Sequence, residues 1–348
     1  MVYIEDYTRF NTKINLSQHS LYDMKRKLIS ILVLFLMISC NNAEIQDSDV
    51  SQLYDNSEQF DIPMNVVEAQ SLLGEGLVRP DFDDETTSRL TNDLIDAINR
   101  FNVAPDDPNS IIWVARRTAY LWRYQDAIYI LTDGINENPN NPRFYRHRGH
   151  RYITIREFDK AIDDLLKGIA LIQGQDDEIE VDGAPNDANI PVSTLHFNLY
   201  YHLGVAYYLN GNFDFAVDAF ENSFRVSRNN DTRVSTIDWL YMSYLRNGNT
   251  HKAQNLINDF DTEIEVLESH SYLNRIRLYK GLITPDDLLN QENMNTLNLL
   301  TQGYGVAMWY YHTGKAEKAI TILNDIIETN YWAAFGYIAA EAEIARLK

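Results

Sequence analysis

The chain has 348 residues, a formal net charge of −20, 45% hydrophobic residues and a single cysteine. That much acid repels the phosphates of nucleic acid and of anionic lipid headgroups, so neither is an expected partner. The apolar share is ample for a core, and a lone thiol suits an exported chain, where a spare one risks mispairing.

Residues 1–23 are polar and without period, and they read as a start set too early, with translation beginning at Met24. Lys25, Arg26 and Lys27 then precede an apolar run from Leu28 to Ile38, broken only by Ser30. A basic flank, a short apolar stretch and a small residue before a cut site make 24–40 a secretory signal. The run falls short of the roughly 20 residues a spanning helix needs. Met37-Ile38-Ser39-Cys40 resembles the bacterial lipobox, which is cut just before the cysteine. The resemblance implies a diacylglyceryl thioether on Cys40 and an acylated new N-terminus, and several acyl chains together anchor stably. Asn41, in place of Asp, favours the outer membrane over the inner one within a Gram-negative envelope. The part after Cys40 carries 25 basic and 47 acidic side chains, a net of −22. Its first stretch, 41–59, is polar and acidic and reads as a tether.

Residues 60–106 read as an N-terminal helical segment, with a short helix over Val66–Leu73 and a longer one over Asp84–Asn102. From 107 onward a period takes over. Tyr200, Leu203, Gly204 and Tyr207, followed by Ala216 and Phe220, fit the W-x2-L-G-x2-Y…A-x3-F pattern with Tyr for Trp. Tyr145, Gly149, Tyr152, Phe158, Ala161 and Leu165 form a second copy, and Tyr124, Ala127, Leu131 and Pro139 an earlier one. Ala127 and Ala161 are 34 residues apart. Later copies are marked by Leu240, Tyr244, Gly248 and Ala253, and by Tyr310, Gly314, Ala319 and Leu323. This pattern resembles the tetratricopeptide repeat (TPR), a 34-residue helix-turn-helix. The resemblance implies an all-α fold, a right-handed α-solenoid of stacked antiparallel helix pairs over 107–348. Gly204 and Ala216 are expected where the two helices of a pair cross closely.

Two spacings are irregular. Ala161 to Ala216 leaves room for an acidic insertion, 174–191, read as a solvated loop. Ala253 to Ala319 leaves room for a degenerate repeat near 264–298. Its first helix falls within Ser271–Leu282 and its second starts at Pro285, behind a Thr284 cap and with Asp286 and Asp287 in the first turn. The Ala-rich tail reads as a C-terminal capping helix.

No catalytic constellation is present: no G-x-S-x-G, H-E-x-x-H or phosphate-binding glycine loop. The chain is therefore expected to be no enzyme and to need no cofactor or metal. His147 and His150 share a helix face but lack a third ligand. Glu178, Glu180, Asp182 and Gly183 imitate the start of a calcium loop, yet Asn189 stands where the bidentate Glu belongs. Trp113, Trp122, Trp239 and Trp309 fall in predicted repeat helices and are expected to pack there rather than to carry sugar.

The TPR resemblance puts the first helix of each pair on the concave side. Its groove positions are Arg116 and Tyr120; Arg143, Arg146 and His150; Tyr201 and Tyr208; Arg246; and Tyr304, Met308 and Tyr311. Eight arginines lie between Arg116 and Arg156 in an otherwise acidic chain. They either clamp carboxylates of a bound peptide or offset acids of the chain itself, such as Asp126, Glu157 and Asp159. The functional expectation is a lipid-anchored adaptor holding another envelope protein or peptide in the groove. The alternative is a nutrient-capture lipoprotein resembling the SusD-type glycan binders.

Overall fold

The computed structural model describes residues 66–289 and 295–347. The expectations for residues 1–65 (early start, signal, Cys40 and tether) lie outside the described residues. Fourteen helices carry the described chain. They are α1 (Asp84–Val103), α2 (Pro108–Tyr120), α3 (Tyr124–Glu137), α4 (Pro142–Thr154), α5 (Phe158–Leu171), α6 (Leu195–Leu209) and α7 (Phe213–Val226), followed by α8 (Asn230–Arg246), α9 (Thr250–Asp259), α10 (His270–Tyr279), α11 (Pro285–Leu289), α12 (Thr296–His312), α13 (Ala316–Glu328) and α14 (Phe335–Leu347).

The sequence explains where these helices begin and turn. Asp107 and Asn141 cap α2 and α4 through their side chains, each followed by proline in the first helical position. Between the helices of each pair the backbone turns through a left-handed residue: Trp122, Arg156, Gly211, Gly248, Gly281 and Gly314. Gly281 marks the degenerate repeat as a true pair, α10 with the short α11. Thr284 and Asp287 bond each other at the start of α11. The small residues do what the pattern asks of them. A Cβ on Gly204 would sit 2.6 Å from the Phe220 ring, and one on Gly149 would sit 2.9 Å from Leu165.

Three features differ from the sequence reading. Val66–Leu73 is no helix: β1 (Val67–Gln70) pairs antiparallel with β2 (Gly76–Val78). The β-branched Val67 and the glycines at 74 and 76 favour a hairpin there, and Gly74 takes φ +98°. Trp122 sits in a turn rather than a helix, packed edge-on against Trp332 at 4.9 Å. Finally, α14 does more than end the stack. It packs on α12 and α13 and also reaches α6, and every residue from Gly336 to Glu343 is buried. A helix closing an array would keep one polar face in water, whereas a helix buried all round belongs to the interior.

The core runs along the stacked pairs and includes polar links. Tyr208 and Tyr304 share a hydroxyl hydrogen bond of 2.9 Å, and Trp239 donates to the Tyr201 hydroxyl at 3.0 Å. Arg275 is fully buried, 2.8 Å from Asp238, and donates to Tyr279 at 3.1 Å.

Candidate partner-binding surface

The groove positions gather into two groups, each covered by part of the same chain. The first group meets the insertion. Arg143 lies 3.6 Å from Glu178, and Arg146 lies 3.0 Å from Glu180. Arg116 donates to the Val181 carbonyl at 2.8 Å, and Arg117 to that of Gly183 at 3.2 Å. Tyr120 packs so close to Gly183 that a Cβ there would touch its hydroxyl. The other edge of the insertion is tied down as well. Glu180 N–H donates to Ser193 at 3.1 Å, and Leu195 N–H to Glu178 at 2.9 Å.

Glu180 is therefore no solvated acid; it is 5% exposed. Burial alone would raise its pKa, but Arg146 and then His147 outweigh that and hold it well below the usual carboxylate range. His147 lies 3.0 Å from Glu180, and its Nδ1 faces Arg146 at 3.0 Å. Burial, reinforced by Arg146, pushes its pKa down to about 3, so it is neutral. With Nδ1 accepting from Arg146, the proton sits on Nε2, toward Glu180. Three of the four carboxylates and carbonyls that meet this wall come from one extended stretch, Glu178–Val181. The acids that imitated a calcium loop are thus turned toward arginines. Among the described residues no group of three or more His, Cys, Asp or Glu is placed to hold a metal ion.

The second group meets α14. Arg246 bonds Glu343, which also receives Arg346 at 2.9 Å and the Tyr304 hydroxyl at 3.4 Å. Arg346 donates to the Tyr208 carbonyl at 3.0 Å. Tyr208, Tyr304 and Met308 are buried, as is Tyr201, which hydrogen-bonds Tyr272 at 3.3 Å. His150 lies against His202 at 4.5 Å and Phe335 at 5.2 Å. Tyr311 alone of the set stays 40% exposed. The arginines mostly offset acids of the chain itself: Asp164 lies on the adjacent helix, as expected, whereas Glu178, Glu180, Glu341 and Glu343 come from the insertion and α14. Only Asp126 of the anticipated acids is engaged this way, 2.6 Å from Arg123. Glu341 and Glu343 gave no signal in the sequence, because an Ala-rich helix with two acids reads as a solvated one.

A recess of about 590 Å³ lies beside this covered wall. It is bounded by α1, α2, the C-terminal turn of α4, the insertion tip Gly183–Pro185 and the stretch Tyr331–Ala334. Phe82, Tyr120, Trp122, Tyr124 and Tyr331 give it an aromatic lining; Arg89, Arg117, Arg151 and Asp93 give it charge.

Helix pairs of this length, joined by equivalent left-handed turns, make the chain an all-α solenoid of TPR-like pairs. No family model and no curated protein matches it. Among solved structures it is similar in part to MamA, at 15% identity and a TM-score of 0.39 over 59% of this chain and 100% of that one. A putative kinesin light chain of Podosopora anserina with TPR-like repeats matches at 14% identity and a TM-score of 0.38, over 63% and 92% of the two chains. YrrB, described as a TPR protein with an unusual peptide-binding site, matches at 12% identity and a TM-score of 0.38, over 67% and 91%. No helix among the described residues is long and apolar enough to cross a membrane.

Proposed function

We propose that this protein is an adaptor of the bacterial envelope, held in the outer membrane by lipid on Cys40, that presents the insertion-covered side of its stack to another envelope protein. The observation that carries the reading is the surface of the insertion. Ile179 and Val181 are 68% and 58% exposed, two residues apart on one face of an extended segment, while Glu180 between them points inward. Glu178 beside them is exposed too. With the arginines engaged from behind, this face is apolar and acidic, and it suits a partner segment that is apolar and basic. Arg116, Arg143 and Arg146 then act by holding the insertion, with Tyr120 packed against its Gly183.

The test is a photo-crosslinking residue at Val181 in cells, with Phe215 on α7, also 58% exposed, as the reference site. A discrete envelope protein should be caught from 181 and not from 215. The pair Ile179→Ser and Val181→Ser should lose that capture while unfolding at the same urea concentration as the parent. Equal capture from both sites would reject the surface. Cys40→Ala should release the protein from the membrane fraction; retention there would reject the lipid anchor.

A second reading, nutrient capture in the manner of SusD-type glycan binders, has one observation in its favour: the aromatic lining of the recess. A glycan screen without binding disposes of it.

A further inference from the structure

Helix α4 carries Arg143, Arg146, Arg148 and Arg151 within its thirteen residues. The first three each face a carboxylate: Glu178, Glu180 and Asp164. Arg151 differs. It is half-buried and lines the recess, its Nη2 meets His150 Nδ1 at 2.9 Å, and its guanidinium lies 5.9 Å from the Tyr124 ring. Among the described residues it forms no ion pair. Burial lowers its pKa to about 10, the tyrosines at 124 and 120 only partly offsetting the loss of water. A guanidinium has five donors in a planar fork, and a half-buried one with a single hydrogen bond has several to offer.

The other charges of the recess favour an anion as well. Arg117 is paired with Asp93 at 3.1 Å, so that acid is neutralised. Arg89 stands exposed at the rim. His150 adds no charge, because burial and then Arg151 hold its pKa well below the ordinary value. In a chain of net charge −20 this is a positive pocket.

We propose that the recess is a binding site for a small carboxylate-bearing molecule with a flat body, an aromatic acid or a sugar acid. Its carboxylate takes the free edge of Arg151 and its body rests on the wall of Phe82, Trp122, Tyr124 and Tyr331. The volume falls in the roughly 300–1,000 Å³ range of small-ligand sites. A carboxylate fits better than a phosphate for a reason of geometry. Phosphate sites use the positive N-terminal ends of helices and their free N–H groups. The first turn of α1 reaches the recess at Thr86, but that N–H is already taken by Asp83 at 2.6 Å, and one planar fork matches one carboxylate. The recess meets the insertion only at its tip, Gly183–Pro185, whereas the adaptor reading rests on the exposed face of Ile179 and Val181, so each can fail without the other.

The test is calorimetry on the purified full-length chain at pH 7 with 4-hydroxyphenylacetate and glucuronate, each against its neutral counterpart, 4-hydroxyphenylacetamide and glucose. At least one acid should bind with Kd of about 1 mM or tighter, and its neutral counterpart about tenfold or more weakly. Which acid binds separates the aromatic from the sugar source. Arg151→Gln should weaken the acid about tenfold and Arg151→Lys less, since charge is kept and the fork lost. If Arg151→Gln does not fold, Arg89→Gln at the exposed rim replaces it and should weaken the acid while leaving the neutral compound unchanged. Absence of binding by both acids, equal binding of acid and neutral compound, or an affinity untouched by the substitution that folds would overturn the site.

Discussion

A buried imidazole that stays neutral makes stability depend on pH with a definite sign. His147 and His202 are 2% and 5% exposed, and burial, with Arg146 adding to it, holds both pKa values down to about 3. The groups facing His147 are Glu180 from the insertion and Arg146 and Arg116 from the helices. In the unfolded chain both imidazoles take up a proton near pH 6.5. Their contribution is therefore complete above that pH and is lost as pH falls toward the folded values. Each should withdraw about 2 kcal/mol between pH 7 and 5. Glu180 works in the same direction but only below the ordinary carboxylate range. Urea midpoints should fall from pH 7 to 5, and His147→Gln should fall by less than the parent over the same interval. An identical loss in both proteins would remove His147 from the account. That His147 shares a helix face with His150 was legible in the sequence; its burial was not, because the acidic loop that covers it looked like one made for water.

Among the elements, α14 departs furthest from its appearance in the sequence. Its alanines and Gly336 let it lie against backbone: a Cβ on Gly336 would meet the Leu300 carbonyl oxygen at 2.5 Å. Gly336→Val must push α14 off α12, an overpacking that costs about 1–3 kcal/mol. The melting temperature should drop by several degrees with weaker near-ultraviolet circular dichroism, and an unchanged melt would show that the contact can relax. The repeat pairs, by contrast, were readable residue by residue. Gly204, Ala216 and Phe220 are local in sequence, and a local pattern records a local contact. The degenerate pair was readable too, through the Thr284 cap. What could not be read were partners between distant stretches: Arg156 with Glu341, 185 residues apart, or Arg246 with Glu343, 97 apart. The hairpin was misread because four residues of strand carry too little period to separate from one helical turn.

In the whole molecule the first and last described stretches touch. Trp332 donates to the Val78 carbonyl at 2.6 Å, Leu72 N–H donates to Glu341, and Gln125 bonds Glu68. Glu341 thus joins the hairpin, the turn after α4 and the final helix, since Arg156 donates to the same carboxylate. A repeat array held only by neighbours unfolds piecemeal, because each pair answers to the next. One tied by such contacts should unfold as a unit. Glu341→Ala leaves Arg156 buried without its anion, which costs about 3–5 kcal/mol. Tryptophan fluorescence and far-ultraviolet circular dichroism should coincide along a urea titration of the parent and separate in the variant. Coincident curves in both would mean that cohesion lies elsewhere.

The placement of α14 also sets an order in time. Arg156 and Arg246 have their glutamates 185 and 97 residues further on, so during synthesis the interior of the stack stays unfinished until α14 has emerged. Until then those two guanidinium groups keep water, and not a carboxylate, as their partner.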